Sequence, residues 1–126
     1  ITRIMENRQA LKLIEKIQKE LFKDNFEVSE IVTDLKKLRE ITLELNNPVV
    51  TKALRLAYEH LENNNGFFIG IPDDEPIDSK DAELEVKISD ENNVESFNYF
   101  LSLLTDLEKK NNVLDLKEYN KAFLAY

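Results

Sequence analysis

Apolar residues recur at spacings of three and four along most of the chain, and this period breaks once, in the middle. Over residues 4–23, Ala10, Leu13, Ile14, Ile17 and Leu21 form one stripe opposite Lys12, Glu15, Lys16, Lys19 and Glu20. That spacing predicts an amphipathic helix. Ile4 and Leu11 widen the stripe, so this helix is expected to be covered on more than one side. Asp24-Asn25 favours a turn. A second helix is predicted from Phe26 to Leu45, with Val28, Ile31, Val32, Leu35, Leu38 and Leu45 inward and Thr42 as the one polar step. Asn25 suits its N-cap and Glu27 its first turn, where the helix dipole favours an acid. So short a connection predicts an antiparallel pair.

Asn47-Pro48 is a start signal for a third helix, the side chain of Asn capping and the fixed φ of Pro fitting the first turn. Val50, Ala53, Leu54, Ala57 and Leu61 are its expected buried face, and Gly66 after Asn63-Asn64-Asn65 supplies a residue that turns left-handed at the end. A fourth helix is predicted from near Asn93 to near Lys110. Val94, Phe97, Phe100, Leu101, Leu104 and Leu107 make the most aromatic stripe in the chain. Asn111-Asn112 would end it, and Asp115 would cap a last helix carrying Leu116, Tyr119, Phe123 and Tyr126. The run Asn47–Leu54 resembles the opening helix of a HEAT repeat, but no second copy recurs at a period of ~40 residues, so no family is recognised.

Between the third and fourth helices the period changes to two. Ala82, Leu84, Val86 and Ile88 alternate with Glu83, Glu85 and Lys87, the pattern of a half-buried strand. Gly66–Pro72 is short, apolar and rich in β-forming residues, and a polar loop, Asp73–Asp81, joins the two. The simplest reading is a β-hairpin inserted into the helical array and packed upon it, since an isolated hairpin is marginal in water. The competing reading is an irregular excursion with Leu84–Ile88 in a helical turn.

Charge makes this insert stand out. The 126-residue chain has 25 acids and 17 bases, a net of −8. Residues 66–95 hold ten of the acids (73, 74, 75, 78, 81, 83, 85, 90, 91, 95) and two lysines (80, 87), a net of −8. The remainder has 15 of each and is neutral. An excess of acid disfavours non-specific nucleic-acid binding and anionic membrane surfaces, both of which need clustered Lys and Arg. It draws basic partners instead. No apolar run approaches the ~18 residues of a membrane span. Cysteine is absent, which excludes disulfides and thiolate chemistry and fits a reducing compartment. A soluble, cytoplasmic protein is the expectation. The chain opens at Ile1 with its only methionine at Met5, so its start lies either upstream or at Met5.

Candidate chemistry is sparse. His60 is the only histidine and is expected at the edge of the third helix's stripe, facing solvent. Catalysis or metal binding would need partners at ligand spacing, and Glu59 and Glu62 diverge from it around the helix. The acids from Asp73 onward do not fit a calcium loop: counted from Asp73, the sixth position is Asp78 instead of Gly and the twelfth is Leu84. Gly66 and Gly70 form no phosphate-binding motif. Phe67, Phe68, Tyr99, Tyr119 and Tyr126 read as core, with a few available to anchor a partner.

Together these patterns predict one mainly α domain spanning residues 1–126, of about five helices in an antiparallel bundle, with the hairpin between helices three and four. The expected function is that of a non-enzymatic protein-interaction module, immunity- or antitoxin-like in its charge, with no cofactor or metal. It would dock a protein with a basic surface through Asp73, Asp74, Glu75, Asp78 and Asp81, and would bind neither nucleic acid nor membrane. Two other readings stand beside it: a helical subunit of a larger, homo-oligomeric assembly, and an enzyme with an unrecognised carboxylate site.

Overall fold

A computed structural model describes residues 8–23, 27–44, 46–72 and 93–126. Five helices run through them: α1 (Arg8–Leu21), α2 (Val28–Glu44), α3 (Pro48–Asn64), α4 (Val94–Leu103) and α5 (Lys110–Ala125). The chain is mainly α, as its period predicts. None of these helices is long and apolar enough to cross a membrane. No strand forms among the described residues, although Ile69 makes a single β-bridge. The other expected arm of the hairpin, Ala82–Ile88, lies outside them.

The helices close into a ring. α1 packs on α2, α2 on α3, α3 on α5, α5 on α4, and α4 returns to α1. The predicted stripes fill its centre: Ala10, Ile14, Ile17 and Leu21 of α1, Ile31, Val32, Leu35 and Leu38 of α2, and Val50, Ala53, Leu54, Ala57 and Leu61 of α3 are all buried. Three of the four connections join ring neighbours. The α3–α4 connection does not, because α5 inserts between those two helices, and the acidic segment belongs to this skipping connection.

Polar bonds show that sequential neighbours run antiparallel. Thr42 of α2 meets Thr51 of α3 in a buried hydroxyl pair at 3.0 Å. Farther along, Lys36 of α2 lies over Tyr58 at 5.3 Å from the ring centre and 3.5 Å from Glu62. Earlier residues of one helix thus meet later residues of the next. Thr42 also donates to the Arg39 carbonyl at 2.9 Å, so Thr51 is the donor within the pair. The one polar step in the α2 stripe is matched by a polar step on α3. Between α1 and α2 the tie is Lys16 to the buried Asp34 at 3.1 Å. Between α4 and α5, Tyr119 donates to the Ser96 carbonyl at 2.9 Å while Ser96 Oγ donates to Tyr119 Oη at 2.9 Å. One turn on, the Tyr99 hydroxyl donates to the Asp115 carboxylate.

The ends of the helices follow their caps. Asn47 accepts the Val50 N–H at 3.4 Å, with Pro48 in the first turn of α3 as expected. At the other end it is Asn65, not Gly66, that takes the left-handed conformation (φ 55°), donating its N–H to the Leu61 carbonyl at 2.8 Å. Asn is the residue other than Gly that tolerates this region. The expected α4 through Lys110 is shorter: it stops at Leu103. Ser102 Oγ donates to the Tyr99 carbonyl and Thr105 Oγ1 to the Ser102 carbonyl, each at 2.7 Å. The N–H groups of Leu104, Thr105 and Asp106 then bond three residues back, tightening the final turn. Local hydroxyls compete for the helix's own acceptors here. α5 consequently starts earlier than expected, at Lys110. Asn111-Asn112 falls in its first turn, with Asn112 Nδ2 donating to the Asp106 carbonyl at 2.9 Å. Asp115 caps nothing; it is buried within the helix.

Removing the Tyr99 hydroxyl should therefore leave a buried carboxylate short of a donor. Tyr99→Phe is expected to lose roughly 1–3 kcal/mol in chemical denaturation, whereas Leu114→Ala, on the exposed side of α5, should change stability by less than about 0.5 kcal/mol.

Candidate functional site

The acidic positions singled out in the sequence, Asp73, Asp74, Glu75, Asp78 and Asp81, lie outside the described residues. The points where that segment leaves and rejoins the helices are described. The Asn93 N–H donates to the Phe67 carbonyl at 2.6 Å, so residues 68–92 depart from and return to one place. Asn93 also caps α4, its side-chain oxygen accepting the Ser96 N–H at 3.0 Å. One residue thus closes the excursion and starts the next helix.

This root is anchored in the core. Phe67 belongs to no helix yet is fully buried, stacked on Phe97 with centroids 4.6 Å apart and planes 12° apart. Phe123 meets it edge-on at 5.7 Å, and Phe100 and Tyr119 complete the cluster at 6.2 and 6.3 Å. Offset and edge-on aromatic pairs are the favoured arrangements and add to the hydrophobic gain. Ile69, two residues on, is buried as well. Farther out, Ile71 is exposed.

His60 closes the other side, and its placement corrects the expected surface position. It is only 5% exposed. The α3 stripe put it at an edge, but the chain after α3 folds back over that edge and α5 covers the rest. Its ring lies against Phe67, Phe68, Phe123 and Tyr126, the last at 4.7 Å. Nε2 accepts the Phe68 N–H at 3.0 Å, so the neutral ring carries its proton on Nδ1. Asn64 Nδ2 donates to the His60 carbonyl at 2.9 Å and fixes the turn beneath. Burial lowers the imidazole pKa from 6.5 to about 4, because the cation would lose its water and would turn an N–H toward the Phe68 N–H. At neutral pH His60 is an uncharged bracket whose acceptor is already engaged by backbone.

Elsewhere the buried polar groups serve the helix contacts already described, except Asn120 of α5, whose buried Oδ1 meets no donor among the described residues. Burial raises the Tyr119 phenol well above its usual range, and its hydroxyl is held between the Ser96 backbone and side chain. Among the described residues, no three His, Asp or Glu side chains come together as a metal ion would require.

Of the features that hold the acidic segment, the start of α4 near Asn93 was legible in the sequence. The bond from Asn93 back to Phe67 was not, because nothing local marks an acceptor 26 residues earlier in the chain. No family model, no curated protein and no solved structure matches this chain.

The His60 bracket has a pH signature. Its pKa is depressed on folding, so the unfolded chain binds more protons between pH about 6.5 and about 4. Stability supported by the neutral ring is full above the unfolded value and is lost as pH falls through that window, by about 3 kcal/mol in all. Unfolding measured across this range for the wild type and His60→Gln should show the gap between them narrowing as pH falls. A gap that stays constant would contradict the assignment.

Proposed function

We propose that this protein is a non-enzymatic interaction module that presents its acidic segment to a protein with a basic surface. The carrying observation is the confinement of the whole excess charge to residues 66–95, in a connection whose two ends are joined at Phe67 and Asn93. A segment fastened at both ends loses less chain entropy on docking than a free tail, since part of its ordering is already complete. Dense charge of one sign speeds encounter with the opposite sign and disfavours like-charged competitors. The period-two pattern of Ala82–Ile88 supports a hairpin as the form in which the acids are displayed. A cysteine-free chain suits a reducing, cytoplasmic setting. Masking of a toxin's nucleic-acid-binding face, as an immunity protein or antitoxin does, is a role of this kind.

A second reading has its own support. Leu114, Leu124 and Tyr126 on the last helix are 47%, 63% and 47% exposed. Large apolar side chains left outside the core are what a helical subunit of a larger assembly would cover with a neighbour. On this reading the mass in solution should be a multiple of 14.7 kDa. A single-chain mass at all concentrations would remove it.

The first reading is tested by neutralising Asp73, Asp74, Asp78 and Asp81 together to Asn. Capture experiments at low and moderate salt should recover a basic protein with the wild type. The quadruple variant should bind that protein roughly ten- to a hundredfold more weakly, equivalent to about 1.4–2.7 kcal/mol, with a shallower salt dependence. Unchanged affinity in the variant would contradict the proposal.

A further inference from the structure

Where α2 passes into α3, side chains of both helices surround an open cleft of about 290 Å³. Arg39 lines it from α2, and Lys52 and Arg55 line it from α3. No acid shares the lining, and Leu43 and Pro48 supply an apolar lip. The charge of the three cations is only partly answered. Arg55 Nη1 pairs with Glu59 at 3.0 Å, leaving the rest of its guanidinium available. Lys52 is exposed and has no ion-pair partner among the described residues. Arg39, half-buried, lines the cleft with the part of its side chain that stays open, while its Nε is closed to solvent, out of a ligand's reach, and meets no acceptor among the described residues. A buried, unmet donor is costly, and more so on a charged group. Asn47 directs its carboxamide oxygen to the Val50 N–H, which leaves its Nδ2 as a neutral donor beside the cations.

We infer that this cleft binds an oxyanion, specifically the phosphate group of a small phosphorylated molecule. Two guanidinium groups present flat, paired donors that match phosphate oxygens, and an ammonium adds a point charge. Three cations exceed what a single carboxylate needs and suit a dianion. The volume lies near the lower end of ligand pockets, which fits a phosphate with a short carbon skeleton against Leu43 and Pro48. The acidic segment does not cancel this field at its root. Phe67 and Asn93 follow the far end of α3, and 17 residues of helix separate the two by roughly 25 Å, about three Debye lengths at physiological salt.

The experiment is a titration of the intact protein, followed by amide chemical shifts or calorimetry, with inorganic phosphate, with glucose 6-phosphate and with chloride as a control. Saturable binding of phosphate or the sugar phosphate is expected, with shifts centred on residues 39–55. Tighter binding of the ester would assign an organic phosphate, and tighter binding of the free ion would assign phosphate itself. Arg39→Gln should weaken binding at least tenfold and Arg39→Lys should restore only part of it. Lys52→Gln, a change at an exposed position that leaves the fold intact, should weaken it by a smaller factor. Overturning results would be no saturable response, a response matched by chloride, or unchanged affinity in both Arg39→Gln and Lys52→Gln.

Discussion

The burial of Phe67 is the constraint on which the arrangement rests. α3 and α4 are consecutive helices but not neighbours in the ring, because α5 lies between them. Something must fill the junction of three helices, and a fully buried aromatic from the connection itself does so. Phe67 touches rings from α3, α4 and α5: His60, Phe97 and Phe100, and Tyr119 and Phe123. Its carbonyl receives the Asn93 N–H. The residue that completes the core therefore also brings the ends of the acidic excursion together. Those ends cannot part without unmaking the contact among α3, α4 and α5.

Apolar stripes alone would allow helices to slide by a turn, since Leu, Ile and Phe repeat at similar spacing. The buried polar pairs remove that freedom. A slip would separate Thr42 from Thr51, or Ser96 and Tyr99 from Tyr119 and Asp115, leaving unmet groups in the interior. Each such group costs on the order of 1–3 kcal/mol. Register is thus set by a few hydroxyls and one carboxylate, while the bulk of the cohesion comes from the stripes around them. His60 extends the same logic to the root of the acidic segment, where an uncharged ring accepts one backbone N–H.

The helices were largely legible in the sequence because a 3.6-residue period survives whatever packs against it. The start of α3 was legible as well, since Asn47-Pro48 acts locally. Misreadings arose where side-chain hydrogen bonds, local or from a distant partner, decided the outcome against the apolar period. Leu104 and Leu107 continue the α4 stripe, and Lys109-Lys110 resembles a helix end. The hydroxyls of Ser102 and Thr105 nonetheless stop the helix earlier. Asp115 looks like a cap until Tyr99 is found opposite it. His60 looks like an edge residue until the chain after α3 and the end of α5 fold over it. The acidic segment was legible only as composition and alternation. The cluster of Arg39, Lys52 and Arg55 was invisible, because its members are spread over two helices and acids intervene between them in sequence.

Equilibrium unfolding of Phe67→Ala tests the central claim most directly. If Phe67 is the fill that joins α3, α4 and α5, truncation should cost about 3–5 kcal/mol, with unfolding remaining a single transition. A cost below about 1 kcal/mol, the range of changes at exposed positions, would show that the helices hold together without it and that the acidic segment is rooted elsewhere.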